Sequence, residues 1–268
     1  MESNTNKGCD TTTILFSINL VMNYRLSVGA IFRNESHSIN EWVQHYLAQG
    51  ADHFYLINDD STDNSVEIIQ PYVDSGIITL FNTDWGRYLG RQRDMYTHYI
   101  LPKLREKESQ WLLMVDLDEY MWSPVANNLC ELLCQCQHLG QIQVGDTLFG
   151  SNGHIEQPER IVASFTRRAA GPRKCYKYFV NSNYEFTHLN IHHATFARKD
   201  DEINNFMILS EDYFILNHYS CQSRNFWRDI KCTRNDGDNY RVRTMADFDD
   251  LDVNEVEDTR LGETQVSP

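Results

Sequence analysis

WLLMVDLDEY, residues 111–120, opens with five apolar residues, Trp111 to Val115, and ends with Asp116, Asp118 and Glu119 close together. A short, unbroken apolar run followed by acids predicts a buried strand. Two carboxylates leaving such a strand from neighbouring points are hard oxygen ligands. They suit Mg²⁺ or Mn²⁺, with diphosphate oxygens filling the remaining positions. Acidic pairs also cap strands without holding any ion, so the weight of the motif depends on where this strand falls in the chain.

Three strand–helix units precede it. LSVGAIF (26–32) is apolar throughout and ends in the polar turn Arg33-Asn34-Glu35. In SHSINEWVQHYLAQG (36–50), Ile39, Trp42, Val43, Tyr46 and Leu47 recur at helical spacing. Ser38 and Glu41 predict a capping box, and Gly50 a left-handed stop. HFYLIND (53–59) predicts a second strand, closed by Asp59-Asp60-Ser61-Thr62-Asp63. SVEIIQPYVDSG (65–76) predicts a helix in spite of Pro71, IITLFN (77–82) a third strand, and a polar helix runs from about Gly90 to Glu106. The alternation β-α-β-α-β-α-β predicts an α/β fold whose central sheet is mostly parallel and flanked by helices. Ligands of such sheets bind at the carboxyl ends of the strands, the edge on which every acidic turn named here falls.

Beyond Trp122 the pattern loosens. LCELLCQCQHL (129–139) predicts a helix in which Cys130, Cys134 and Cys136 act as small buried apolar side chains. FGSNGH (149–154) is a Gly-rich turn, and IVASFTRR (161–168), KYFV (177–180) and YFILNHY (213–219) are short β-like pieces. Seven cysteines, Cys9 included, form an odd number without C-x-x-C spacing. They predict neither a zinc site nor a disulfide framework, and a reduced, cytoplasmic chain. A formal charge of −14 argues against a dedicated nucleic-acid binder, which needs a basic face. The charge is uneven: residues 247–263 hold eight acids and one base, whereas residues 160–184 hold six bases and no acid. That asymmetry reads either as two solvated faces or as a cationic patch beside an anionic ligand or headgroup. The apolar run Thr13 to Met22 is broken by Ser17 and Asn19 and falls short of the ~20 residues of a membrane span. No transmembrane segment or signal peptide is expected, and peripheral membrane contact stays open.

Two further segments carry candidate chemistry. The Asp59–Asp63 turn suits ribose hydroxyls and a base N–H, or simply caps the following helix. LNHYSCQSRNFWRDIKC (216–232) holds His218, which as a neutral imidazole completes a metal shell or else is structural. Lys231 or Arg228 in the same segment offers positive charge to a diphosphate.

Taken in order, RNESHSINEWVQHYLAQGADHFYLINDDSTDNS (33–65), GRYLGRQRDMYTHYI (86–100), WLLMVDLDEY (111–120), TLFGSNGH (147–154) and LNHYSCQSRNFWRDIK (216–231) resemble one group of enzymes. These are the glycosyltransferases of the family 2-like and family 92 group, the latter formerly a domain of unknown function. The resemblance implies an A-type glycosyltransferase fold over residues 26–262, with a nucleotide-binding half (26–122) and an acceptor-binding half (123–262). Residues 1–25 form a variable lead-in and 263–268 a tail. It further implies a UDP-sugar or similar nucleotide-sugar donor, a glycan, glycoprotein or glycolipid acceptor, Mn²⁺ or Mg²⁺, and inversion at the anomeric carbon. Carried over by position, Asn34, Glu35, Asp59 and Asp60 lie beside the nucleotide, and Arg87, Arg91, Arg93 and Lys231 approach the diphosphate. Asp116, Asp118 and His218 hold the metal. The resemblance supplies no general base; Asp146, Glu156 and Glu185 are candidates by location alone. Two other readings stay open from the residues: a haloacid dehalogenase-type phosphatase built on Asp116, and a non-catalytic carbohydrate or nucleotide-sugar binding module using Trp85, Trp122 and Trp227 as stacking faces.

Overall fold

The computed structural model describes residues 23–234 and 240–266. Most of the lead-in, with Cys9 and the Thr13–Met22 run, lies outside the described residues, as do the last two residues of the tail. The first half is built from β1 (Tyr24–Phe32), α1 (Ile39–Ala48), β2 (His53–Asp59), α2 (Ser65–Asp74), β3 (Ile78–Thr83), a helical stretch of α3 (Arg91–Met95), a π-helical turn (Tyr96–Ile100) and α4 (Leu101–Arg105), then β4 (Ser109–Met114). The expected alternation is therefore present element by element. There follow β5 (Glu119–Trp122), α5 (Leu129–Leu133), β6 (Gln141–Leu148), α6 (Ile161–Ser164), β7 (Arg167–Arg168), β8 (Tyr176–Asn181), β9 (Phe186–Leu189), β10 (Ala194–Phe196), α7 (Lys199–Asn204), β11 (Phe206–Leu209), β12 (Ile215–His218), α8 (Arg224–Phe226) with a π-helical turn to Lys231, α9 (Met245–Leu251), β13 (Val256–Glu257) and α10 (Arg260–Val266).

One sheet runs in the order β3-β2-β1-β4-β8-β6-β12-β5, with β11 beside the start of β6. From β3 to β4 every pairing is parallel. β8 is inserted antiparallel between β4 and β6, β12 is parallel to β6, and β5 is antiparallel to β12. The strands are apolar without alternation because both faces are covered. On one face Val28, Phe54, Leu56 and Leu113 pack with Trp42, Val43 and Tyr46 of α1; on the other Tyr55, Ile57, Leu112 and Met114 pack with Met95, Ile100 and Leu104. Successive residues of one strand thus serve two cores, as the period of two requires.

Four expectations need correction. The capping box at Ser38 and Glu41 does not form: no side chain caps α1. The Glu41 carboxylate instead accepts from the amides of Ile161 and Val162 at 2.6 and 3.1 Å, so it caps α6, where bare N–H groups attract an anion. IVASFTRR is not a strand but the short helix α6 followed by the two residues of β7, because Ile161 and Val162 bury into the main core while Glu41 holds their amides. Of the three helix cysteines only Cys130 is buried; Cys134 is exposed and Cys136 lies between. The uneven charge is in part paired within the fold and not simply two separate solvated faces or a free cationic patch. Residues 252–258 fold back over the basic stretch, with Asp258 on Arg168 at 2.6 Å, β13 paired with β7, and Asp252 accepting from the Ser151 amide at 2.6 Å. Gly150 permits this strap, since a Cβ there would stand 2.4 Å from the Val253 carbonyl oxygen.

His45, on the buried side of α1, donates through Nε2 to the Met121 carbonyl at 2.9 Å. Burial pushes its imidazole down to about 4, against the pull of that hydrogen bond. The unfolded chain, with an ordinary histidine near ~6.5, binds a proton in the interval where the folded chain does not. The contribution of neutral His45 is therefore fully present above ~6.5 and is lost as pH falls through about 4. Urea unfolding from pH 7 to 4 should show a decline in stability roughly 3 kcal/mol smaller for His45→Gln than for the natural chain. An identical decline in both would refute the assignment.

Candidate active site

The turn from Asp116 to Glu119 links β4 to β5, and α1 pins it. The Trp42 indole donates to the carbonyls of Asp116 and Glu119 at 3.0 and 3.1 Å. The Tyr46 hydroxyl donates to the Glu119 carbonyl at 3.0 Å and accepts from the Met121 amide at 2.9 Å. Glu119 closes the turn on itself by accepting from the Asp116 amide at 2.8 Å. The turn's side chains therefore leave a fixed backbone.

Each acid meets a cation brought from the second half of the chain. Lys177 of β8 donates to Asp116 Oδ2 at 2.6 Å and stands 3.4 Å from Glu119. Lys231 donates to Asp118 Oδ2 at 2.8 Å. Arg173 binds both oxygens of buried Asp146, which also accepts from His218 Nδ1 at 2.6 Å. The second ring nitrogen of His218, Nε2, lies 3.6 Å from Asp118 Oδ1. Gly145 lets Arg173 approach, because a Cβ there would stand 2.6 Å from the Arg173 carbonyl oxygen.

These contacts set the ionisation. Burial opposes charge on Asp118, but Lys231 and His218 outweigh it and hold the carboxyl well below its usual range. Burial likewise opposes charge on Lys177, yet Asp116 and Glu119 keep its ammonium well above the ordinary value. Burial pushes Glu119 up to about 7 despite Lys177. Burial disfavours the His218 cation, but Asp118 and Asp146 prevail and push it up to about 10. The acids of the corner are thus balanced at close range, and the protonated His218 is one of the four cations, with Lys177, Lys231 and Arg173, that balance them. Among the described residues, Glu119, Asp146 and His218 also form a metal-sized group. That group is already closed by Arg173 and Lys177 and uses Nδ1, whereas Nε2 of His218 is the nitrogen on the side of Asp118.

A cleft of about 730 Å³ opens above this corner, at the carboxyl ends of β1, β2 and β4. Of the residues singled out from sequence, Glu35, Asp59, Arg87, Asp116, Asp118, His218 and Lys231 line it. Asn34, Asp60, Arg91 and Arg93 do not. Asn34 and Asp60 take left-handed backbone conformations at the strand ends, and Asn34 Oδ1 accepts from the Thr62 amide at 2.8 Å, tying the two turns together. Arg91 is buried, binds both oxygens of Asp59 and so orients that acid; Arg93 faces outward onto Asp94. Arg228 pairs with its neighbour Asp229 on the surface, so Lys231 is the cation of that segment that reaches the cleft. The three base candidates are not brought to the cleft wall: Asp146 is buried against Arg173 and His218, while Glu156 and Glu185 are exposed elsewhere. The tryptophans are not stacking faces of this cleft either. Trp122 and Trp227 are buried, and Trp85 packs on His98 and Tyr99.

The family model of Glycosyltransferase family 92 matches residues 22–260. The chain belongs to glycosyltransferase family 92. A family 92 protein of Oryza sativa subsp. japonica is 20% identical over 211 residues, which are 77% of this chain and 35% of that protein. The chain therefore spans about a third of the length of the curated relative it matches. Among solved structures, it is similar to S. aureus TarS 1-349 in complex with UDP-GlcNAc, with 13% identity, coverage of 90% and 70% of the two chains and a TM-score of 0.44. It is also similar to the mannosyltransferase PcManGT of Pyrobaculum calidifontis in complex with GDP-Man and Mn²⁺, with 12% identity, coverage of 78% and 60% and a TM-score of 0.42. The curled, mostly parallel sheet agrees with the A-type fold expected of the family 92 domain. Among the described residues, no helix is long and apolar enough to cross a membrane.

Sequence reading missed Lys177, Arg173, Gln92, Arg33, Arg234 and Arg243, all of which line the cleft or hold its acids. Lys177 carried a usable signal: it is a charged residue inside the apolar strand KYFV, which calls for a buried counter-charge. Replacing it by Met removes the cation that Asp116 and Glu119 share and leaves Glu119 only the more distant His218, at 3.7 Å. Urea denaturation at neutral pH should show a loss of about 3–5 kcal/mol, partly recovered when Glu119→Gln is added. A stability equal to the natural chain would show that the lysine does not balance these acids.

Proposed function

We propose that this family 92 domain transfers a sugar from a nucleotide-diphosphate sugar of the UDP class to an acceptor hydroxyl, in a single displacement with inversion, assisted by a divalent cation. The observation that carries the reading is the cleft itself. It puts the donor atoms of Asp118 and His218 beside a row of cations, Arg33, Arg87, Lys231, Arg234 and Arg243, at the ligand-binding edge of the sheet.

The residues fit a metal. Two ligands of one ion stand on the order of 3 Å apart, and Asp118 Oδ1 and His218 Nε2 are 3.6 Å apart. His218 is oriented from behind by Asp146, as metal-binding imidazoles are by carboxylates. Asp116 would be the third group, through the oxygen Lys177 does not hold, and the imidazole would favour Mn²⁺ over Mg²⁺. When bound, the ion would neutralise charge developing on the leaving diphosphate. The chain's own residues do the rest. Lys231 and Arg87 hold the diphosphate from the protein side, Glu35 and Asp59 face the nucleoside, and Asn34, Asp60 and Arg91 fix the turns from which those acids project. Arg93 has no part in donor contact.

Two measurements test the reading. A screen of UDP-, GDP- and TDP-sugars should reveal slow hydrolysis of one donor that depends on added Mn²⁺ and stops with a chelator. In Asp118→Asn that turnover should fall by ~10²–10³-fold while far-UV circular dichroism stays unchanged. Undiminished turnover by this variant at saturating Mn²⁺ would remove Asp118 from the mechanism.

A further inference from the structure

Transfer to a hydroxyl requires a base, and the carboxylates of the cleft are engaged. Glu35 pairs with Arg234 at 2.7 Å, Asp59 with Arg87 at 3.4 Å and with Arg91, Asp116 with Lys177, and Asp118 with Lys231. Glu119 is buried behind them. A carboxylate held by a cation loses basicity, so Glu35, Asp59, Asp116 and Asp118 are not poised to take a proton, and Glu119, though burial raises it to about 7, is closed off by Lys177 at 3.4 Å and His218 at 3.7 Å.

Three histidines line the cleft: His192, His193 and His218. His218 is enclosed by Asp118 and Asp146. His192 is different. Its Nδ1 lies 3.0 Å from the Tyr176 carbonyl oxygen, which can only accept. Nδ1 therefore carries the proton, and Nε2 is left with the lone pair. The segment bearing it is tied down, since Gln143 donates to the His192 carbonyl at 2.8 Å and the Asn190 amide to the His193 carbonyl at 2.8 Å. The residue lines the cleft wall and is exposed in part, with one side of its ring packed against the Tyr176 carbonyl, so that a large acceptor can approach it from the cleft. Its place in the fold is also the required one. β1 and β2, which carry Glu35 and Asp59, lie on one side of β4; β8, whose first residue Tyr176 holds His192, lies on the other. The donor side and the His192 side thus flank the Asp116–Asp118 turn.

We propose that His192 is the general base that activates the acceptor hydroxyl in the transfer reaction, an inference that rests on the function proposed above. Nε2 takes the hydroxyl proton as the acceptor oxygen bonds to the anomeric carbon. The bond from that carbon to the diphosphate oxygen breaks, and its electron pair leaves with the nucleoside diphosphate. The groups around the ring keep it neutral and ready. Desolvation and Lys177 lower its proton affinity, outweighing the Tyr176 carbonyl, Asp116 and Asp146. The neighbouring Cys175 thiol, 3.9 Å from Nδ1, is pushed by burial up to about 11 and stays protonated.

The test uses the full chain with Mn²⁺ and whichever UDP- or GDP-sugar the natural protein turns over. His192→Asn keeps an N–H for the Tyr176 carbonyl and removes the base; His192→Gln is the second variant should the first not fold. Either variant should lose ~10²–10⁴-fold in kcat with unchanged calorimetric affinity for the donor. The natural protein's kcat/KM should rise with pH through a value below the ordinary ~6.5 of histidine. That limb should be missing from both variants, and added imidazole should restore part of the rate. A folded variant that retains kcat within about threefold and the same acid limb overturns the base. Loss of donor affinity overturns it too, assigning His192 to donor binding. Absence of nucleotide-sugar turnover by the natural protein instead overturns the function on which the base rests.

Discussion

Four carboxylates, Asp116, Asp118, Glu119 and Asp146, share one corner at the ends of β4 and β6, and the site follows from how their charge is balanced. Taking a carboxylate out of water costs several kcal/mol unless a counter-charge meets it at close range. Here Lys177, Lys231, Arg173 and His218 do so, each within 2.8 Å of an acid oxygen. All four come from the second half of the chain, two on or just before β8 and two at or after β12. The antiparallel insertion of β8 next to β4 is what brings Lys177 onto Asp116, so the irregular part of the sheet is required by the acids that the regular part delivers. Apolar residues of similar volume would stabilise such a corner at least as well. A charged network kept in place of them points to chemistry.

Charge balance alone leaves the acids free to shift, and the backbone clamp removes that freedom. Trp42 and Tyr46 lie on the face of α1 that the core buries, and their polar tips reach the carbonyls of Asp116 and Glu119. One amphipathic helix therefore does two things at once: its rings fill the core, and its N–H and O–H groups fix the turn. Sites held by packed regular elements keep their geometry better than sites carried on loops. The strap at 252–258 acts in the same way from the other end. It covers the basic stretch and ties the Gly150 turn, which follows β6, to the body of the domain.

How far all this was legible from sequence depends on the range of the deciding contact. The strands and helices up to β4 were readable because hydrophobic period and turn residues are local signals, and so were Asp59, Asp116, Asp118, His218 and Lys231 as candidate ligand-binding groups, whereas Glu35 and Arg87 came only from the resemblance to the glycosyltransferases. The second half was not, because its contacts are long-range. Ile161 and Val162 read equally well as strand or helix, and the residue that decides, Glu41, lies 120 residues earlier. Glu41 itself matched a local capping box, yet its carboxylate serves a distant helix. Lys177 was visible as a misfit in an apolar run, but its partners are known only once β8 is placed beside β4. His192 sits in LNIHHATF, where no periodicity marks it; only the distance to the Tyr176 carbonyl sets it apart from His193.

The arrangement also bears on how the proposed nucleotide-sugar donor would enter a chain whose own charge is −14. The long-range field of such a protein opposes an anion, so on the proposed function a nucleotide diphosphate would have to be met by local positive charge. The cleft supplies that local positive charge through Arg33, Arg87, Lys231, Arg234 and Arg243. Lys231 rests on Asp118 at the cleft wall, on a flexible stem long enough to turn from that acid to a phosphate oxygen. On the proposed reading, Asp118 and a neutral His218 would hold the divalent ion, and the Lys231 ammonium, no longer needed by Asp118, would meet the diphosphate. Each acid keeps a counter-charge throughout, so the corner avoids the cost of an unpaired buried carboxylate whether or not the donor is present. On that reading the pairing between Lys231 and Asp118 that stabilises the fold would also be the one exchanged on binding, so that the two side chains are neighbours before a ligand arrives.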